Sequence, residues 1–395
     1  MSTVYVRDIN SRMARRRLFL ITLSLFAAIM IITTFTFYLH DDKLNSQFND
    51  EGSSLKNEGP YKTHGTVLQY ATTKGHFTDE TLTRYGANLK LNLRHRCPEG
   101  SLMMSAKANS YRHGKGKTSK CPKVFIIGTK KGGTTSLYQY LSMHPDFRGI
   151  GTNNTKWVGE TFYFAQRYGK ISLNSYLNLF PKKKMSGDAS VDNLLHCKAP
   201  FRILKTCGGR DTKVIILLRH PVQRYVSNFM MRVVGRAYKL HSNSSSIHDQ
   251  LLHDIKLLNK HLGASDKVYP HRASEWNKLL CLFECCQNIL YEGLYYVFVM
   301  NWLCNFPKEN ILIINSEEMF WRPAFILKQV LDFVGLKPLS TDSLYEITSH
   351  VYNKGVKPFL PQHHMSSDDQ ELLLSYYSIF NDAIFDLLDW KLNWS

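Results

Sequence analysis

The stretch VFIIGTKKGGTTSLYQYL, from Val124 to Leu141, constrains this chain more than any other part of it. Val124 to Ile127 read as a buried strand, the glycines as a tight turn, and the hydroxyl-led segment after them as an amphipathic helix. The first N–H groups of a helix have no partner within it, and the helix dipole adds partial positive charge there. A strand, loop and helix joined in this way therefore cradle a phosphate. Gly132 and Gly133 let the backbone come close to a ligand, Lys130 and Lys131 add charge, and Thr134, Thr135 and Ser136 add short donors. The nucleoside triphosphatase loop has the pattern G-x-x-x-x-G-K-[ST], with lysine after the last glycine and a hydroxyl on magnesium. Gly128 and Gly133 keep that spacing, but Thr134 stands where the lysine belongs and both lysines lie inside the loop. The loop is built for an anion, in a form that departs from ATP hydrolysis.

The charge balance narrows the ligand further. The chain has 395 residues and a net charge of +18, enough length for one large core or two modest ones and enough charge to favour an anionic partner. That partner is nucleic acid, a membrane surface or an acidic glycan. Leu18 to Leu39 holds no charged residue and is long enough to cross a bilayer as a helix. Arg7, Arg12, Arg15, Arg16 and Arg17 precede it and Asp41 and Asp42 follow, so residues 1–17 are expected to stay cytosolic and the rest to cross. A cleaved signal peptide would have a shorter apolar run ending in a small-residue site, whereas this one ends in FTFYLHDD. The expected organisation is a tail over 1–17, a signal anchor over 18–39, a lumenal stem over 40–120 with some of it packing on the domain, and one domain over 121–395. A lumenal domain excludes nucleic acid as the partner.

Cysteines and sequons agree with a secretory compartment. The eight cysteines are an even number, with no pattern of zinc ligands, and no metal is expected. Cys197 with Cys207 is the expected local staple. Triplets for N-glycosylation occur at Asn153, Asn243 and Asn393, of which Asn243, in HSNSSS, has the most loop-like surroundings.

From Cys121 onward, short apolar runs alternate with helical patterns. Val124–Ile127, Val214–Leu218 and Ile311–Ile314 are continuous and β-branched, as buried parallel strands are. Each precedes a helix-like segment, which predicts a doubly wound α/β sheet. Pro323 suits the first position of a helix, and Ser367 with Gln370 reads as a capping box ahead of a helix burying Leu373, Tyr377, Phe380, Ile384 and Leu388. Tyr291, Tyr295, Tyr296, Phe298 and Trp302 read as helix packing.

A second constellation lies in KVIILLRHPVQRYVSNF. Arg219 closes a strand, Pro221 opens the next helix, and Ser227 lies inside it. A strand end and the first turns of the following helix face one sheet edge, so Arg219 and Ser227 can converge on an anion beside the phosphate loop. Two such sites imply a ligand with two phosphate-like groups.

With these motifs the chain resembles the sulfotransferase family, and within it the membrane-anchored Golgi carbohydrate sulfotransferases. The family's 5′-phosphosulfate loop is similar to IIGTKKGGTTSL, and its R-x-P-x-x-R-x-x-S segment for the 3′-phosphate matches Arg219, Pro221, Arg224 and Ser227. SGDASVDNL and the spacing of the block GLYYVFVMNWLCNFPKENILIINSEEM toward the C-terminus resemble enzymes of the N-acetylgalactosamine 4-sulfate 6-O-sulfotransferase type. The resemblance implies a P-loop-like parallel sheet and 3′-phosphoadenosine 5′-phosphosulfate as donor. Lys131, Gly132, Gly133, Thr134, Thr135 and Ser136 would hold its phosphosulfate end, and Arg219 and Ser227 its 3′-phosphate. Lys131 matches the family's loop lysine, which neutralises charge on the leaving oxygen. GETFYF resembles the family's K-E-x-x-[FWY]-[FWY] segment and places Glu160 as the base that takes the acceptor's proton. NKGVKPFLP, with Lys354, Gly355 and Lys357, resembles the loop that closes over the nucleotide. The implied acceptor is an anionic glycosaminoglycan of chondroitin or dermatan type, and the implied setting is the Golgi membrane.

Two departures fall on the acceptor side: Gly159 replaces the family's lysine, with Lys156 nearby, and Phe162 replaces a histidine or other polar residue. Alternatives therefore remain at this level, a catalytically silent glycan-binding relative and, against the loop pattern, a nucleotide-dependent kinase. His363 and His364 lack ligand spacing, and Lys182, Lys183 and Lys184 read as a solvated charge run. Oligomeric state is not legible.

Overall fold

A computed structural model describes residues 83–85, 97, 121–151, 159–181, 184–208, 212–235, 246–262, 279–280, 282, 288–352, 355, 360–390, 392 and 394. The expected anchor over 18–39, the tail before it, the sequons at Asn153, Asn243 and Asn393, and Lys156, Lys182, Lys183, Lys354 and Lys357 lie outside the described residues. Among the described residues, no helix is long and apolar enough to cross a membrane.

The strands are β1 (Thr83–Tyr85), β2 (Val124–Gly128), β3 (Gly187–Asp188), β4 (Lys213–Leu218) and β5 (Ile311–Asn315). They form a five-stranded sheet in the order β1-β5-β4-β2-β3. β5, β4, β2 and β3 run parallel, as the continuous apolar runs predict, while β1 pairs antiparallel with β5. The sheet is therefore mixed rather than wholly parallel. β1 comes from the stretch expected as stem, and so belongs to the sheet.

Alternation along the strands fills a core on each face. Phe125, Ile127, Val214, Ile216, Leu218, Ile311 and Ile313 join one buried cluster. It also takes in α3 (Ala199–Cys207), α4 (Pro221–Gly235), α5 (Ile247–Leu262), α6 (Tyr295–Asn305) and α10 (Ser367–Leu388). Val124, Ile126, Ile215, Leu217, Leu312 and Ile314 face the other way, onto α1 (Thr134–Ser142) and α8 (Pro323–Val334). The sheet is thus covered on both faces, and the doubly wound reading holds. The remaining helices described are α2 (Leu173–Leu177), α7 (Ser316–Trp321) and α9 (Thr341–Thr348).

Local chemistry explains the boundaries. Pro323 is the first residue of α8, where a missing N–H costs nothing, and Gly335 ends that helix with φ 76°. α10 buries Leu373, Tyr377, Phe380, Ile384 and Leu388 as predicted. Its cap is Ser366, whose side chain accepts from the Asp369 N–H, one residue before the predicted Ser367 and Gln370 box. Both residues at the start are serines, so the sequence pattern is ambiguous by one position.

The expected Cys197–Cys207 staple is replaced. Cys207, at the end of α3, is bonded to Cys121, just ahead of β2, and Cys304 in α6 is bonded to Cys97. Cys197 is also disulfide-bonded. Proximity in sequence favoured the wrong pair, because β2 and α3 bring Cys121 to Cys207 across the fold.

Candidate active site

β2, β4 and β5 end on one edge of the sheet, and their following segments build the site there. The loop after β2 is tied to β4 by the Thr129 N–H, which donates to Leu217 O at 2.8 Å, and is closed by the Gly132 N–H on Thr129 O at 2.9 Å. The first bond within α1 is Leu137 N–H to Gly133 O, so the amides of Thr134, Thr135 and Ser136 have no partner inside the helix. Lys131 has φ 69°, a conformation a side-chain-bearing residue seldom adopts outside functional loops.

The two glycines are required largely by the protein itself. A Cβ on Gly132 would stand 2.7 Å from Thr129 Oγ1 and 3.0 Å from Thr129 O. Gly133, at φ 95°, would press on the Phe320 ring at 2.8 Å. The loop lysines divide. Lys130 Nζ lies 3.2 Å from both Asp192 Oδ1 and Glu292 Oε1, so its charge is directed inward rather than to a ligand, contrary to the sequence reading. Lys131 is half-buried, and burial first and the Arg219 guanidinium second push its pKa down. The Ser136 hydroxyl donates to Tyr352 O at 3.1 Å, leaving its amide as its contribution to the loop.

Arg219 follows β4 directly. Its Nη1 donates to Lys131 O at 3.0 Å, and its guanidinium lies 5.5 Å over the Phe320 ring. Its Nε is buried without a partner among the described residues, an orphaned donor at the edge where an anion is expected. Tyr295 OH donates to Arg219 O at 2.7 Å, and the His220 N–H to Glu317 Oε1 at 2.9 Å, which fix the turn into α4. Ser227 is half-buried on α4, and a Cβ on Gly355 would sit 3.6 Å from its Oγ. Gly355 thus lies beside Ser227.

Glu160 is held by an unusual turn. No strand follows it; Tyr163–Arg167 form a π-helical turn, preceded by Phe162 at φ 56°. The N–H groups of Thr161 and Phe162 both donate to Ser190 Oγ at 2.8 Å. Asp188, wholly buried at the end of β3, accepts from Thr161 Oγ1 at 2.6 Å, Tyr176 OH at 3.1 Å and the Ser190 N–H at 2.9 Å. Arg202 closes the far end, donating to Phe164 O at 2.7 Å and Ala165 O at 3.0 Å. Desolvation, reinforced by Asp192 and Asp188 and opposed by Lys130, pushes the Glu160 carboxyl up to about 8. Asp192, two residues after the Ser190 that pins this turn, pairs with Lys130 Nζ at 3.2 Å, which ties the turn following Glu160 to the phosphate loop.

Gly159 has a structural reason. At φ 77° its Cβ would stand 2.5 Å from the Tyr138 ring, and Tyr138 OH is engaged with Gly187 O at 3.0 Å and the Ile150 N–H at 2.8 Å. A lysine cannot occupy that position. Asp192, Glu292, Tyr295 and Glu317 were missed by the sequence reading. For Glu292 a signal existed: it is the one charged residue in ILYEGLYYVFVMNWLCN, and a charge in such a run is buried with a partner.

The geometry can be set beside known proteins. The profile described as "Sulfotransferase domain" matches residues 121–375. The chain belongs to the sulfotransferase family. Heparan sulfate glucosamine 3-O-sulfotransferase 3B1 of Mus musculus is 28% identical over 245 residues, covering 61% of this chain and 52% of that protein. Carbohydrate sulfotransferase 15 of Rattus norvegicus is 25% identical over 336 residues, covering 71% of this chain and 56% of that protein. The chain spans about half the length of these curated relatives. A solved sulfotransferase from Alicyclobacillus acidocaldarius aligns with TM-score 0.49 and 22% identity over 69% of this chain and 97% of that one.

Proposed function

We propose that this chain transfers a sulfuryl group from 3′-phosphoadenosine 5′-phosphosulfate to a hydroxyl of a glycosaminoglycan sugar. The observation that carries the reading is the tie between the turn after Glu160 and the phosphate loop: the amides of Thr161 and Phe162 are pinned to Ser190 Oγ, and Asp192, two residues further on, pairs with Lys130 of the loop at 3.2 Å. Glu160 takes the proton of the acceptor hydroxyl as that oxygen attacks sulfur. The sulfur–oxygen bond to the 5′-phosphate breaks in line, and its electron pair stays on the phosphate oxygen. Lys131 and the amides at the start of α1 stabilise the charge that builds there. Arg219, with its orphaned Nε, and Ser227 receive the 3′-phosphate.

The resemblance of SGDASVDNL to galactosamine-directed sulfotransferases favours an acceptor of chondroitin or dermatan type. Relatives named for heparan sulfate make that polymer the necessary comparison. In the same reading, Leu18–Leu39 anchors the chain in the Golgi membrane with the catalytic part in the lumen. The disulfides Cys97–Cys304 and Cys121–Cys207 support an oxidising compartment.

The test is to incubate the purified full chain with radiolabelled donor and a panel of chondroitin, dermatan, heparan and desulfated acceptors, followed by disaccharide analysis. Label on a galactosamine-containing product is expected; no label on any acceptor with donor binding intact would leave a silent glycan-binding relative. Glu160→Gln should lower kcat by about a thousandfold while leaving bisphosphate affinity nearly unchanged. Full activity in that variant would show that the base lies elsewhere.

A further inference from the structure

Glu292 is buried at 2% exposure and takes no part in the chemistry above. It lies on the turn Tyr291–Gly293 that leads into α6. Its Oε1 accepts from Lys130 Nζ at 3.2 Å and Arg232 Nη2 at 3.4 Å. Its Oε2 accepts from Arg224 Nη1 at 3.2 Å and Asn228 Nδ2 at 2.5 Å. Lys130 belongs to the phosphate loop, and the other three belong to α4, the helix that carries Ser227. One side chain thus grips both halves of the site.

The geometry of α4 gives that grip a consequence. Arg224 and Asn228 are one turn apart and share a face, and Ser227 stands on the flank beside them. Holding Arg224 and Asn228 therefore fixes the rotation of the helix, and with it the direction of Ser227. Holding Lys130 fixes the loop whose next residue is Lys131. The Arg219 Nη1 bond to Lys131 O, at 3.0 Å, is a second tie between the same two segments, nearer the sheet edge.

Burial works against an ionised Glu292, and Lys130, Arg232 and Arg224 overcome it, holding the carboxyl below its usual range. A buried charge cluster of this kind gives little net stability over well-packed apolar side chains, but removing one member leaves the others as uncompensated buried charges, so its members are held together. Arg224 is itself wholly buried and also donates to Ile289 O at 2.5 Å, so it is committed to the interior rather than to a ligand. The cluster is suited to setting a distance.

We propose that Glu292 is a positioning residue that sets the separation of the donor's two anion sites, by gripping Lys130 of the phosphate loop together with Arg224, Asn228 and Arg232 of the helix that presents Ser227. The inference rests on the donor assignment above. A ligand that reaches both sites gains from their fixed spacing, whereas one that reaches a single site does not.

The test compares binding of adenosine 3′,5′-bisphosphate, adenosine 5′-phosphate and adenosine 3′-phosphate to the full chain by calorimetry. Glu292→Gln keeps the volume and removes the charge, and Lys130→Met releases the loop while leaving the α4 contacts on Glu292. Each variant is expected to lose about tenfold or more in bisphosphate affinity, with each monophosphate within about threefold of the parent. If Glu292→Gln does not fold, Lys130→Met carries the test alone. An unchanged advantage of the bisphosphate overturns the inference, and so does equal weakening of all three ligands, the mark of a merely structural role. A parent chain that binds none of the three overturns the donor assignment, and the positioning role with it.

Discussion

Glu160, the base proposed above, ties that proposal to stability. An ordinary glutamate titrates near 4.5, and burial with Asp192 and Asp188 nearby moves this one to about 8. A base must be ionised to accept a proton, so kcat/KM is expected to climb with pH and level off above about 8, in a rate profile measured at saturating donor. Stability follows the opposite course. Between 4.5 and about 8 the folded chain holds a proton at Glu160 that the unfolded chain has lost, so rising pH costs stability across that window. The Tm gain of Glu160→Gln should therefore be near zero at pH 4, grow up to about pH 8 and then stay constant; a gain largest in acid would contradict the burial. Candidate residues were legible in part. The sequence named Glu160, Lys131 and Arg219 because their types and spacing match a family pattern. It could not assign Lys130 to the interior, because Asp192 and Glu292, the residues that claim its charge, are distant in sequence.

At the level of elements, the sequence located the three long parallel strands because each is a continuous apolar run. It missed β1 and β3, which are three and two residues long and carry no such run. The π-helical turn after Glu160 was also invisible, since aromatic residues in ETFYF suit a strand as well as a turn. Left-handed glycines separate two kinds of element boundary. Gly335 ends α8 at φ 76° with nothing near its missing Cβ, so Gly335→Ala should cost about 1 kcal/mol in thermal unfolding and leave activity unchanged. Gly133 starts α1 at φ 95° against the Phe320 ring, which also lies under Arg219. Gly133→Ala should carry the same backbone cost and displace that ring, weakening donor affinity by about tenfold in a binding titration. Equal effects of the two changes on affinity would show that the Phe320 contact has no bearing on the site.

The whole molecule carries a net charge of +18, which was legible from composition alone and fits a polyanionic acceptor. Exposed charges are screened by salt while buried contacts are not, so the acceptor KM should rise by roughly tenfold as ionic strength goes from about 0.05 to about 0.3 M, and the donor KM much less. Equal dependence of both would remove the charge from acceptor recognition. Ahead of residue 121, where the sequence texture changes, the described residues include one short strand of the sheet and one disulfide-bonded cysteine, in keeping with the expectation that part of the stem packs on the domain. That strand has a practical consequence for anyone shortening the chain. Beginning at residue 121 would strip β1 from β5 and bare a row of backbone donors and acceptors on an all-buried strand, an invitation to pair edge to edge with another copy. It would also leave Cys304 as a lone thiol in the core of α6. A shortened chain intended to stay soluble has to begin before Thr83.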